Sequence, residues 1–151
     1  DVKTAFLHGG LDEELYILQP EGFLIPGKEH LVCKLRHSLY GLKQAPRLWY
    51  KKFDLYALKW LQSADPCLYM KKETNGSRSI LVLYVDDMLI ARSMTQVAGI
   101  KMQTQIAFST KDLGNAKHIL GIRIRQDRQK NILFVSQEKY IEKVLGKISD
   151  D

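Results

Sequence analysis

The stretch SILVLYVDDMLIA, Ser79 to Ala91, constrains the fold more than any other part of the chain. Ile80 to Val85 is an unbroken apolar and aromatic run, Met88 to Ala91 is a second, and Asp86 and Asp87 lie between them. The runs are strand-length and rich in β-branched residues, so the segment reads as two strands joined at the aspartates. Side chains alternate across an extended strand. The two carboxylates therefore point to opposite faces if the backbone is extended, or project together if they occupy a two-residue turn. The flanking apolar runs favour the turn. A hairpin built only for structure prefers Asn-Gly or Asp-Gly, because its tight turn needs positive φ. Asp-Asp accepts strain there, and strain at a turn points towards function.

Two unit charges about 4 Å apart repel by roughly 4 kcal/mol at an effective dielectric of 20. Such a pair favours a hard cation, Mg²⁺ with Mn²⁺ as the alternative. The competing reading is a solvated acidic turn that binds nothing. Asp1 is a third carboxylate in a strand-like setting. If its strand lies beside the hairpin, Asp1 and Asp86 can share a pair of metals. Two metals about 3.5–4 Å apart suit an in-line phosphoryl displacement.

Charge fits such a substrate. The chain carries 23 Lys and Arg against 17 Asp and Glu, a net +6, with a pI near 9.3. This favours a polyanionic partner, nucleic acid first, over a generic basic protein. The 151 residues are 45% apolar and 26% charged, which suits one globular domain with a sizeable core. No apolar run approaches the roughly 20 residues of a membrane helix. No secretory signal opens the chain, and neither does Met, so a segment of a longer reading frame is expected. His8, His30, His37 and His118 are scattered, and no Cys or His pair has zinc-ligand spacing. Cys33 and Cys67 read as reduced core residues of an intracellular protein.

Along the chain, DVKTAFL reads as the end of a strand. LYILQPEGF reads as a short strand and turn, IPGKEH as a turn, and LVCKL as another strand. Pro46 suits the first turn of a helix. Trp49, Phe53, Tyr56 and Trp60 then recur at helical spacing and form an aromatic core stripe. Asp65-Pro66 closes this region, and TNGS, Thr74 to Ser77, signals a turn. Met94 to Phe108 reads as a helix with Thr95 as a potential N-cap. HILGIRIRQD places Ile122 and Ile124 on one face and Arg123 and Arg125 on the other. DRQKN reads as a hairpin turn, from which ILFVS returns. Ser136 is placed to cap a last helix, with Tyr140, Ile141, Val144, Leu145 and Ile148 on one side and Lys139, Lys143 and Lys147 on the other. The fold class expected is α+β, an antiparallel sheet packed on helices.

Several motifs, in order, carry a family resemblance over essentially the whole chain. YVDD at Tyr84 to Asp87 resembles the catalytic motif of reverse transcriptases, and DVKTAFLHG at Asp1 to Gly9 resembles their first aspartate motif. SLYGLKQAPRLWYKKFD, Ser38 to Asp54, is similar to the template and nucleotide motif of copia-type LTR retrotransposons. KDLGNAKHILGIRI, Lys111 to Ile124, and SQEKYIEKVL, Ser136 to Leu145, continue the pattern. His8 and Gly10 stand where the family usually has Asn and Asp, and the stretch from Asp54 to Asp65 is a few residues short of the family pattern.

The resemblance implies a reverse-transcriptase palm with part of the fingers over 1–118, a primer-grip hairpin over 119–135 and the start of a thumb over 136–151. Asp1 and Asp86 would ligate two Mg²⁺ ions, Val2 would lend a carbonyl, and Asp87 would be the less essential third carboxylate. Phe6 matches the steric gate that favours deoxynucleotides. Tyr40 and Gly41 match the motif contacting the incoming base pair. Lys43 and Arg47 are placed for template phosphates, and Tyr84 belongs to the same template–primer set. Leu120, Gly121 and Ile122 match the primer grip. Lys111 and Lys117 are the candidates for protonating the leaving pyrophosphate.

The implied partners are an RNA or DNA template with its primer, dNTP, and the RNase H and integrase regions of a Pol polyprotein. The implied location is cytoplasmic virus-like particles, or the nucleus. The implied function is RNA-directed DNA polymerisation, with the 151-residue chain inactive by itself. The alternative is a degenerate, non-catalytic nucleic-acid-binding remnant of a retroelement. A nuclease using two metals is a third reading, disfavoured by YVDD together with YGLKQAP.

Overall fold

A computed structural model describes residues 1–72, 76–91 and 94–149. The backbone divides into two compact units, Asp1–Lys111 and Asp112–Asp151. Helices and antiparallel sheets alternate unevenly, as the α+β expectation requires. No helix among the described residues is long and apolar enough to cross a membrane.

The first unit is built on a four-stranded antiparallel sheet in sequence order: β3 (Gln62–Asp65), β4 (Leu68–Lys72), β5 (Arg78–Tyr84) and β6 (Asp87–Ala91). A separate ribbon pairs β1 (Tyr16–Leu18) with β2 (Val32–Lys34). Helix α1 (Ala45–Ala57) carries Pro46 in its first turn, where the missing N–H costs no helical bond. Its Trp49, Phe53 and Ala57 recur every four residues and are buried. Helix α2 (Met94–Ala107) adds Ile100 and Thr104, and Phe108 follows at the same spacing. These residues close one core with Tyr69, Leu81 and Leu83 from the sheet. Alternation along β5 sends Leu81 and Leu83 to that core, and across the ladder Met88 and Ile90 pack on it from β6. Phe53 is the hub. Its ring lies 5.6 Å from Trp49, 5.7 Å from Tyr69 and 5.6 Å, stacked, from Phe108.

The second unit is a three-stranded antiparallel sheet, β7 (His118–Ile119), β8 (Ile122–Asp127) and β9 (Ile132–Ser136), followed by α3 (Glu138–Ser149). Ile122 and Ile124 are half-buried while Arg123 and Arg125 are exposed, matching the expected alternation. The Arg125 guanidinium lies 4.8 Å above the Phe134 ring, across the ladder. The DRQKN turn is tied by Asp127, whose Oδ1 accepts from the Gln129 and Lys130 amides.

Several local expectations are corrected. DVKTAFL is not a strand end. Val2 makes one isolated bridge to Thr110, and Ala5–His8 winds into a 3-10 turn. Trp60 lies beyond α1, which stops at Ala57 because Leu58 to Trp60 form a turn. The region does not end at Asp65-Pro66. Pro66 and Cys67 form the tight turn between β3 and β4, with Cys67 at φ 65°. Cys33 is exposed on the ribbon, and Cys67 is only partly buried. Burial pushes the Cys67 thiol up, with Asp54 and Asp65 adding to the shift. Helix α2 begins at Met94, one residue before Thr95, whose side chain lies outside the described residues. Ser136 ends β9, and the Gln137 carbonyl accepts the first helical N–H groups of α3, from Tyr140 and Ile141. Of the TNGS turn, Thr74 and Asn75 lie outside the described residues, while Gly76 has φ 80°.

Candidate active site

The β5–β6 hairpin closes between Tyr84 and Asp87, which pair across the ladder. The turn residues are therefore Val85 and Asp86, and not the two aspartates as expected. Asp86 sits exposed at the tip, and Asp87 is the half-buried first residue of β6. Hydrophobic alternation could not decide this. A turn at Asp86-Asp87 would set Leu83 opposite Ile90, and the observed turn sets it opposite Met88. Both are core residues, so a two-residue shift preserves the pattern that a one-residue slip would destroy.

Two tertiary hydrogen bonds mark the observed register. The indole Nε1–H of Trp49, on buried α1, donates to the Val85 carbonyl at 2.6 Å. The Val2 amide donates to the Asp86 carbonyl at 2.7 Å. Between these contacts Val85 is held at φ 53°. A β-branched residue is a true outlier in that region, and the conformation costs about 1–3 kcal/mol. The strain expected at this turn is present, but the valine carries it.

The Val2–Asp86 bond brings the first aspartate motif against the hairpin tip. On its other side Asp1–Lys3 is fixed to 109–111. The Lys111 amide donates to the Asp1 carbonyl at 2.8 Å and the Lys3 amide to the Ser109 carbonyl at 2.7 Å. These two bonds flank the Val2–Thr110 bridge without using the Val2 carbonyl. Asp1 is half-buried and Asp86 exposed, so both carboxylates keep access to solvent. Their hard oxygen donors, with a neighbouring backbone carbonyl, suit Mg²⁺. Among the described residues no group of three or more His, Cys, Asp or Glu side chains is arranged to hold a metal. A metal here would rest on Asp1, Asp86 and backbone or solvent oxygen.

The nucleotide-contact candidates also meet. The Phe6 and Tyr40 rings lie 4.7 Å apart, tilted at 45°. Phe6 is half-buried beside the core and Tyr40 is exposed. Gly41 follows at φ 94°, a conformation that disfavours any side chain. Among the described residues, its chain neighbours aside, no group lies within 4 Å of where its Cβ would be, so backbone angle and not crowding requires the glycine. Lys43 is exposed. Arg47 donates to Asp12 at 3.2 Å in a largely exposed pair. Tyr84 is 55% exposed, and its cross-strand pairing with Asp87 puts both on the sheet face away from Leu81 and Leu83. Lys111 is exposed and belongs to the first unit beside Asp1.

Leu120, Gly121, Ile122 and Lys117 belong to the second unit. Leu120 and Gly121 form the two-residue turn between β7 and β8, with φ 50° and 76°, and Ile122 opens β8. Positive φ at both positions is the type I′ signature. Lys117 is exposed, and its carbonyl accepts from the Ile124 amide.

Comparison with known proteins decides the family. The model for reverse transcriptase (RNA-dependent DNA polymerase) matches residues 1–149. The chain belongs to the reverse transcriptase family. The retrovirus-related Pol polyprotein from transposon TNT 1-94 of Nicotiana tabacum is 52% identical over 153 residues, covering 99% of this chain and 12% of that protein. The corresponding polyprotein from transposon RE1 of Arabidopsis thaliana is 35% identical, covering 97% and 10%. The putative transposon Ty5-1 protein of Saccharomyces cerevisiae is 35% identical, covering 95% and 47%. This reverse transcriptase chain thus spans less than half of each of these relatives. No solved structure matches it. The copia-type resemblance read from the motifs is borne out.

Sequence reasoning missed two parts of the site. Trp49 was read only as core, and Val85 only as strand. Neither the indole hydrogen bond nor the left-handed backbone leaves a local sequence signal. His8, at the position where the family usually has Asn, packs its ring 5.8 Å from Trp49 and 5.5 Å from Phe108. Its buried Nε2 has no hydrogen-bond partner among the described residues.

Proposed function

We propose that this chain is the catalytic portion of an RNA-directed DNA polymerase from a retrotransposon Pol polyprotein. It would supply palm and part of the fingers over 1–118, the primer grip over 119–135 and the start of the thumb over 136–151. The observation that carries the reading is the Val2 amide bonded to the Asp86 carbonyl, which ties the two aspartate motifs into one site.

Asp1 and Asp86, with the Val2 carbonyl, would hold two Mg²⁺ ions, and Asp87 would support them from β6. When bound, the ions neutralise charge on the phosphates and favour ionisation of the attacking hydroxyl. The chain's own residues position the reactants. Phe6 lies under the sugar and excludes a 2′-hydroxyl. Tyr40 and Gly41 accept the incoming base pair, while Lys43 and Arg47 meet template phosphates. Tyr84 faces the primer–template. Leu120, Gly121 and Ile122 hold the primer end. The primer 3′-hydroxyl releases its proton to solvent as its oxygen bonds to the α-phosphorus, the α–β phosphoanhydride bond breaks, and pyrophosphate leaves. Lys111 or Lys117 supplies its proton. Template, primer and dNTP are the substrates, and the RNase H and integrase regions are the polyprotein partners. The 151 residues alone are expected to be inactive.

The test uses the tobacco TNT 1-94 polyprotein with this chain replacing the matching 153-residue stretch. Primer extension on poly(rA)/oligo(dT) with Mg²⁺ is compared with Asp86→Asn. Loss of a carboxylate worth several kcal/mol of charge stabilisation lowers incorporation at least about a hundredfold. Incorporation untouched by Asp86→Asn sinks the assignment. No incorporation, with salt-sensitive duplex binding retained, indicates the non-catalytic binding element instead.

A further inference from the structure

We propose that Trp49 is a positioning residue for the polymerase reaction, and that its indole N–H acts by holding the Val85–Asp86 turn in its strained form. The inference rests on the reading of Asp86 as a catalytic carboxylate.

The turn has positive φ at its first central residue only, the type II′ pattern that normally places glycine there. This chain places valine there. A valine at φ 53° returns to the ordinary β region unless its surroundings prevent it. Three features do so. Trp49 is 2% exposed and fixed on α1. Its ring is wedged against Phe53 at 5.6 Å and edge-on to Phe108 at 5.1 Å, with His8 at 5.8 Å. Its single polar atom reaches the Val85 carbonyl at 2.6 Å. One peptide further on, the Asp86 carbonyl receives the Val2 amide at 2.7 Å. Consecutive carbonyls are thus held from two elements of the core, and the Asp86 side chain projects from between them. If Val85 relaxes, its peptide plane rotates and the Asp86 carbonyl leaves Val2. The two aspartate motifs then separate. Aromatic bulk alone does not provide this link, because a phenylalanine fills the site but donates nothing.

The decisive variant replaces Trp49 with benzothienylalanine, which keeps the bicyclic shape and exchanges N–H for sulfur. Trp49→Phe is the companion, and Val85→Gly is the rescue, because glycine holds positive φ without help. Two readouts are taken. Amide hydrogen exchange at Val2, in the 151-residue chain, reports the Val2–Asp86 bond directly and needs no activity. Primer extension across a Mg²⁺ series, in the tobacco polyprotein carrying this chain, reports the reaction.

The expected results are Val2 exchange about tenfold faster in the sulfur analogue, as loss of one buried hydrogen bond implies, and kcat about tenfold lower with a higher Mg²⁺ requirement. Val85→Gly is expected to recover much of both losses in the analogue background and to change the natural background less. A merely structural role lowers the urea midpoint without moving Val2 exchange or the Mg²⁺ requirement, and that outcome overturns the proposal. So does a tenfold loss that Val85→Gly fails to recover. If the unaltered protein incorporates no nucleotide, the polymerase reading fails by itself. Val2 exchange still decides whether Trp49 holds the turn.

Discussion

Phe53 gives the sharpest test of how the core supports the site. It is fully buried, and its ring meets Trp49, Tyr56, Tyr69 and Phe108. An aromatic side chain buries about 150–250 Å², worth roughly 4–6 kcal/mol at about 25 cal/mol per Å². An extended reference chain makes that an upper bound, and alanine keeps part of it. The loss of ring–ring contacts works the other way, at about 0.5–1.5 kcal/mol per pair. Phe53→Ala is therefore expected to cost about 4 kcal/mol, inside the usual range of about 3–5 for such a truncation. A domain of this size is stable by only about 5–15 kcal/mol, so much of its stability is at stake. Phe53→Leu, which keeps most of the volume, is expected to cost under about 1.5 kcal/mol. Urea unfolding followed by tryptophan fluorescence reads both. With a slope near 2 kcal/mol per molar, the alanine variant should lower the midpoint by about 2 M. A drop below about 0.5 M would refute the view that Phe53 is the hub joining α1 to the sheet and, through Trp49, to the hairpin tip.

Two further outcomes follow from buried contacts. A Cβ at Gly9 would lie 3.0 Å from the Leu48 Cβ and 3.3 Å from both the Leu48 carbonyl carbon and the Ser38 Cβ. Gly9→Ala should therefore cost about 1–3 kcal/mol by overpacking, while Gly10→Ala, with open space around it, should pass nearly unnoticed in the same urea assay. Burial, and then the bond its hydroxyl donates to Asp54 at 3.0 Å, push the Tyr69 phenol well above its ordinary value near 10. A group raised on folding contributes stability that is complete below its unfolded value and lost as pH rises beyond it. Stability should therefore fall above pH 10 by up to about 1.4 kcal/mol per pH unit. Tyr69→Phe should flatten that slope, and an unchanged slope would show that other groups carry it.

What could be read from the sequence follows the range of the interactions. Helix α1 was legible because Pro46, Trp49 and Phe53 state its start and buried face within two turns. The strands β5 and β6 were legible because their apolar runs are strand-length and share a parity. The β8–β9 hairpin was legible from DRQKN, whose turn chemistry is local, whereas the Leu120-Gly121 turn before it was not, because HILGIRIRQD reads as one alternating stretch. Strand β3 was missed because QSAD is mostly polar and exposed, and β4 with it because Pro66 appeared to end the region rather than turn it. DVKTAFL misled because three residues bridging two neighbours look like a strand to any pattern, while Thr4 at φ 51° breaks it at once.

The aspartate turn lies between these cases. Its existence was legible, its register was not, and the reason is physical. Alternation specifies a hairpin only to within an even shift, and here both registers bury Leu83 against an apolar partner. The observed register is the one in which a tryptophan 36 residues away and a valine near the chain's start find carbonyls to bond. The core pattern therefore admits a small set of hairpins, and hydrogen bonds from outside the hairpin select one of them. That selection puts the strain on Val85 and leaves the Asp86 side chain exposed at the tip, the access that its proposed catalytic role needs.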